Sequence, residues 1–128
     1  MRVLPRKFND DPGKGSRPMS ASAGGFVPGA GAGALVLEDL ETALARGARI
    51  YAEIAGGMVN CGGQRSGGSM TAPNPEGIVR CIRGALADAG SEPFDIDAVS
   101  GHLTATYADP GEVKSWARAL ERKPEDFP

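Results

Sequence analysis

Apolar positions along the chain follow two different periods. The clearest helical pattern lies in residues 75–89, where Ile78, Cys81, Ile82, Ala85, Leu86 and Ala89 repeat at the i, i+3, i+4 spacing of one buried face. Asn74 stands at its cap, Pro75 at its first helical position and Gly90 at its stop. Gly77 and Gly84 weaken this helix by about 1 kcal/mol each relative to alanine, so packing must hold it. A short helix is predicted after Asp39, with Leu40, Ala43 and Leu44 on one side, Arg46 in the last turn and Gly47 at the end. A third follows Asp109-Pro-Gly-Glu112, which has capping-box spacing, and presents Val113, Trp116, Ala117 and Leu120 on one face before Lys123-Pro124 stops it. Short apolar runs at 34–37, 49–55 and 94–99 predict strands. Residues 1–18 are turn-rich and read as loop, as does the glycine-rich stretch 56–68.

Strands alternating with helices argue for an α/β layered fold. Three strands and three helices are few for such a fold, and the pattern reads as a slice of something larger. Composition changes that picture little. With 128 residues the length suits one domain, and 41% apolar against 23% charged positions excludes a disordered chain. The net charge of −2 supplies no basic field for nucleic acid or an anionic membrane. No apolar run is long enough to cross a bilayer, and the start of the sequence lacks the apolar core of a secretion signal, so a cytoplasmic location is expected. Two cysteines, Cys61 and Cys81, fit a reduced compartment, and one histidine with no paired cysteines predicts no metal site.

Glycine is the exception to an ordinary composition, at 19 residues. Gly29-Ala-Gly31-Ala-Gly33-Ala34 satisfies the G-x-G-x-x-A pattern of dinucleotide loops, but that loop needs a strand before it and a helix opening at it. Pro28 precedes these glycines and a strand-like run follows, so close backbone packing is the expected role and a small nucleotide-binding module the alternative. Neither cysteine has a base or helix start beside it in sequence, and both are expected to be inert. His102 stands just past the end of a predicted strand, where α/β folds place functional groups, and Thr104 and Thr106 follow it at alternating positions. Asp109 and Glu112 could act as an acid–base pair, though their spacing points first to capping.

Taken in order, these segments resemble one family. Ser16-Arg-Pro, Gly25-Phe-Val-Pro-Gly followed by the alternating glycines and Leu35-Val-Leu-Glu38, and Ala45-Arg-Gly-Ala followed by Ile50-Tyr-Ala-Glu-Ile54 are similar to the β-ketoacyl-acyl-carrier-protein synthases, the condensing enzymes of fatty-acid synthesis. The likeness continues through Met70-Thr-Ala-Pro73, the helix ending Ala87-Asp-Ala-Gly90, and Gly101-His-Leu-Thr-Ala-Thr106. It covers nearly the whole chain.

The resemblance implies a partial thiolase-like α/β fold. Residues 1–47 would be the end of the N-terminal half and 48–128 the start of the C-terminal half of a longer, homodimeric enzyme. It implies a catalytic role for His102, the first histidine of the family's His-Gly-Thr-Ser-Thr motif. Thr104 and Thr106 would contact the phosphopantetheine arm of an acyl carrier protein, so that no separate cofactor is needed. Leu103 and Ala105 replace the motif's glycine and serine. The 62–68 loop and Thr71 match a segment beside the substrate entrance, and Arg2 a basic position that would meet the acidic carrier protein. Asp109 and Glu112 match residues with a structural hydrogen-bonding role. Neither Cys61 nor Cys81 matches the nucleophile, which is expected upstream, with a second histidine downstream. The implied chemistry is decarboxylative Claisen condensation of an acyl thioester with malonyl-carrier protein, in fatty-acid or polyketide synthesis, and the isolated chain is expected to be inactive. A noncatalytic subunit resembling a chain-length factor, and a fragment with no function of its own, are the remaining alternatives.

Overall fold

The computed structural model describes residues 4–62 and 74–127, so Arg2, Thr71 and most of the 62–68 loop lie outside the described residues. Three α-helices organise it: α1 (Leu40–Ala45), α2 (Pro75–Ala89) and α3 (Asp109–Ala119). Single 3-10 turns stand at Pro12–Lys14, Pro93–Asp95 and Pro124–Asp126.

Each helix boundary has a local cause. The Asp39 carboxylate accepts the Thr42 N–H at 3.0 Å, satisfying one of the free donors at the start of α1. Asn74 does the same for Glu76 at 2.9 Å in α2, with Pro75 behind it supplying no donor to satisfy. At the far end Gly90 turns left-handed, with φ 63°, and the Ser91 N–H returns to the Leu86 carbonyl at 3.0 Å. These bounds agree with the sequence reading of residues 75–89. The capping box expected from Asp109 and Glu112 does not form. The N-cap of α3 is Ala108, without a side-chain cap, and both carboxylates turn instead to the preceding loop.

No strand forms among the described residues, which corrects the α/β expectation for 34–37, 49–55 and 94–99. A strand is a pairing, and its backbone donors and acceptors need a neighbour. Here Leu35 and Val36 are 89% and 93% exposed and Tyr51 is 83% exposed, and none of them pairs with a strand among the described residues. Residues 93–95 form a 3-10 turn, tied to the end of α3 where Arg122 Nη2 donates to the Phe94 carbonyl at 3.3 Å. Close packing expected at Gly29, Gly31 and Gly33 is also absent, since a Cβ at any of the three would meet open space. The chain exposes 9810 Å², against roughly 6,400 Å² for a compact monomer of 13.2 kDa.

The core is the α2–α3 pair. The predicted α3 face is buried throughout, at Val113, Trp116, Ala117 and Leu120, and Ser115 is buried behind it with its hydroxyl donated to the Gly111 carbonyl at 2.8 Å. On α2 the outcome differs. Val79 and Gly77 are buried, while Ile78, Cys81, Ile82, Ala85, Leu86 and Ala89 are only half covered. The cause is that α2 serves two neighbours. Arg118 of α3 pairs with Glu76 at 2.8 Å and accepts at its carbonyl from Arg83. Another stripe, at positions 77, 81, 84 and 88, faces residues 56–62, which run antiparallel along the helix. There Gly57 N–H donates to Asp88 Oδ2 at 2.9 Å, Cys81 Sγ to the Met58 carbonyl at 3.1 Å, and Asn60 Nδ2 to the Gly77 carbonyl at 2.7 Å. The strap comes so close that a Cβ on Gly56 would stand 2.5 Å from Ala89 N and 2.8 Å from its Cα.

Two measurements check this arrangement. Gly56→Ala cannot be accommodated by side-chain rotation, because the obstacle is backbone, and it lowers stability by about 1–3 kcal/mol in a denaturant melt. Around α1, Arg46 Nε and Nη2 grip the Glu38 carboxylate at 2.8 and 2.5 Å, and that hydrogen bond holds the Glu38 carboxyl below the usual carboxylate range. A carboxyl depressed in the folded state stabilises above its ordinary value and stops doing so as pH falls through the depressed one. Protection factors across 40–45, corrected for the intrinsic slowing of exchange in acid, therefore fall as pH drops below the ordinary carboxylate range, and Arg46→Ala removes that dependence.

Candidate active site

The loop 101–106 connects the irregular segment after Pro93–Asp95 to α3, and it is shaped almost entirely by the first turn of that helix. Glu112 accepts two consecutive backbone donors, His102 N–H on Oε1 at 2.7 Å and Leu103 N–H on Oε2 at 3.1 Å. Asp109, 3% exposed, accepts the next three: Thr104 N–H at 3.1 Å and Thr106 N–H at 3.3 Å on Oδ1, and Ala105 N–H at 2.9 Å on Oδ2. Five successive amides thus converge on two carboxylates. Hydrogen bonds to an ionised acceptor are the stronger kind, about 1.5–3 kcal/mol each. The first-turn position adds the favourable end of the α3 dipole to both charges.

That convergence holds a backbone that is otherwise disfavoured. Leu103 and Ala105 have φ of 25° and 61°, in the left-handed region where a side chain costs roughly 1–2 kcal/mol per residue. With these residues left-handed, all five N–H groups from 102 to 106 reach the two carboxylates. His102 is exposed. The Thr104 and Thr106 hydroxyls lie 3.2 Å apart, and Thr106 Oγ1 also accepts the Ala108 N–H at 3.3 Å. Chemically, the loop offers one imidazole and a pair of hydroxyls, with both nearby carboxylates accepting from its backbone amides.

The structure brings together His102, Thr104, Thr106, Asp109 and Glu112 from the sequence reading. Arg2 and Thr71 are outside the described residues. Cys61 is exposed, and Cys81 is half-buried with its thiol on the Met58 carbonyl. The alternating glycines at 29–33 meet no helix start, since α1 opens only at Leu40, and their geometry gives a phosphate no N-terminal dipole. Sequence reasoning missed Gly101 and Trp116. The indole of Trp116 occupies the space a Gly101 Cβ would fill, and Phe127 meets it edge-on with ring centroids 6.1 Å apart. The signal was available: Trp116 lies one turn beyond Glu112 and is the sole tryptophan.

Comparison with known proteins identifies the fold to which this loop belongs. Residues 51–128 match the family model of the beta-ketoacyl synthase C-terminal domain. The chain belongs to the β-ketoacyl synthase family. That domain has the thiolase-like fold. Over 121 residues the chain is 46% identical to 3-oxoacyl-[acyl-carrier-protein] synthase 2 of Rhizobium meliloti, covering 93% of this chain and 28% of the relative. It is 43% identical over 121 residues to 3-oxoacyl-[acyl-carrier-protein] synthase 1 of Escherichia coli, covering 94% of this chain and 28% of the relative. It is also 43% identical over 120 residues to the chloroplastic synthase II of Arabidopsis thaliana, covering 91% and 21% respectively. The chain therefore spans about a quarter of the length of these relatives. No described helix is long and apolar enough to cross a membrane.

The β-ketoacyl synthase loop stands or falls with Asp109. Asp109→Asn keeps Oδ1 as an acceptor but can place an amide NH₂ against the Ala105 N–H, which is 1% exposed and has no access to water. The variant loses about 2–3 kcal/mol in chemical denaturation, and the backbone signals of 104–106 shift most.

Proposed function

We propose that this chain contributes one histidine and a pair of threonine hydroxyls to the active site of a 3-oxoacyl-[acyl-carrier-protein] synthase. The observation that carries the reading is the exposed His102 beside the Thr104–Thr106 hydroxyl pair, on a loop whose backbone is pinned by Asp109 and Glu112. The relatives, named as synthases acting with acyl carrier protein, supply the reaction class.

In that reaction the bond between the malonyl carboxylate and its α-carbon breaks. Carbon dioxide leaves, and the electron pair becomes an enolate on the thioester. The enolate carbon attacks an acyl thioester carried on a cysteine and displaces the thiolate. Charge develops on the enolate oxygen, where a fixed donor is most effective. His102 is assigned that task through a ring N–H, with its backbone N–H held on Glu112 before substrate arrives. Thr104 and Thr106 are assigned the amide and hydroxyl groups of the phosphopantetheine arm, which is the substrate's own carrier and leaves the chain with no resident cofactor to bind. Thr71 and the 62–68 loop are assigned to the entrance and Arg2 to the carrier protein. The same reading places the seam between the two half-folds near Gly47, with residues 1–47 before it and 48–128 after it. It also takes the complete enzyme to be a cytoplasmic homodimer. The α/β sheet of the family would be completed by strands that cover 34–37 and 49–55.

Two assays test this. Malonyl-pantetheine added to the purified chain shifts the Thr104 and Thr106 signals, and Thr104→Val with Thr106→Val weakens that binding about tenfold, the loss of two hydroxyl contacts. Absence of any shift at saturating ligand overturns the assignment. Because neither Cys61 nor Cys81 is placed beside His102 by sequence match, the 128-residue chain alone makes no 3-oxoacyl product from malonyl- and acyl-carrier proteins, and a malonyl-dependent product would show the missing groups to be dispensable.

A further inference from the structure

We propose that Trp116 is a positioning residue for His102. Its indole, backed by Phe127, fixes the backbone at Gly101, the residue before the histidine. This inference rests on the functional reading of His102, but its observations are independent of it.

Side chains one turn apart on α3 grip the backbone on either side of His102. Glu112 holds the His102 and Leu103 amides, as already described. Trp116 Cη2 and Cζ2 fill the place of a Gly101 Cβ, well inside contact for any residue that had one, and Leu103 Cγ closes the same space from the other side at 3.1 Å. A tryptophan serving only the α2–α3 core would need no glycine opposite it. This one is 8% exposed and lies directly against the Gly101 backbone, with the Phe127 ring meeting it at 69°. A carboxylate alone leaves its partner amides free to rotate about the two hydrogen bonds. A flat, rigid ring against the preceding residue removes that freedom, because packed side chains admit few alternative positions. The strained φ at Leu103 is then held from both ends.

The test uses the full chain, labelled with ¹⁵N, and reads amide hydrogen exchange together with the ring signals of its single histidine. Trp116→Leu is expected to raise exchange at the His102 and Leu103 amides about tenfold relative to Thr104–Thr106, which Asp109 still holds, and to move the His102 ring signals. Trp116→Phe restores much of the parent pattern. A purely structural role for Trp116 predicts instead a uniform change across 102–106, and that result, or unmoved His102 signals in a folded Trp116→Leu, overturns the proposal. Should Trp116→Leu lose its cooperative melt, Gly101→Ala supplies the same readout by pushing the indole away from the other side. Malonyl-pantetheine binding is scored separately in each variant. A His102-selective response in a chain that binds no thioester supports the positioning role while overturning the functional reading, and binding with a uniform response does the reverse.

Discussion

Two carboxylates in the first turn of one helix do most of the organising in this molecule. Backbone amides normally find carbonyl partners, and a run of five that all point inward would be prohibitively costly without acceptors. Asp109 and Glu112 supply those acceptors as full negative charges, which suffices to hold Leu103 and Ala105 in a region of backbone space that side chains avoid. The rest follows in order: α3 must be anchored for the loop to be anchored, and α3 is anchored by packing on α2, with Val113, Trp116 and Leu120 buried. The helix pair therefore acts as a mounting for the loop.

The legible and illegible parts of the sequence divide on whether the deciding interaction is local. The bounds of α2 could be read from Asn74, Pro75 and Gly90 because caps and stops act within one turn. The buried face of α3 could be read from its spacing for the same reason. The face of α2 could not, because positions 77, 81, 84 and 88 answer to a strap upstream, and Gly84, which weakens the helix, is what lets Met58 of the strap approach, since a Cβ there would stand 2.9 Å from Met58 Cγ. Strands at 34–37 and 49–55 failed as predictions because apolar composition says what a segment prefers and never supplies the partner it pairs with.

The candidate site shows the same division. His102, Thr104 and Thr106 were visible as an alternating motif. Asp109 and Glu112 were visible as a pair at a helix start, but the pattern of a capping box concealed their true partners, which precede the helix and are not its own first donors. Spacing of three residues places two carboxylates on one face and is silent about which amides come to them. Trp116 was hidden by its ordinary place in a hydrophobic stripe, and only the absent Cβ of Gly101 separates it from a core residue.

The hydrogen bonds that shape the loop span between three and ten residues of chain, whereas those that tie the strap to α2 span seventeen to thirty-one. Closing a short loop takes tens of nanoseconds, and the entropy lost grows with the length enclosed. The loop can thus reach its shape once α3 is seated on α2, without waiting for the strap or for whatever covers the bare apolar runs. In kinetic terms the geometry around His102 depends on one helix pair and not on the more distant closures.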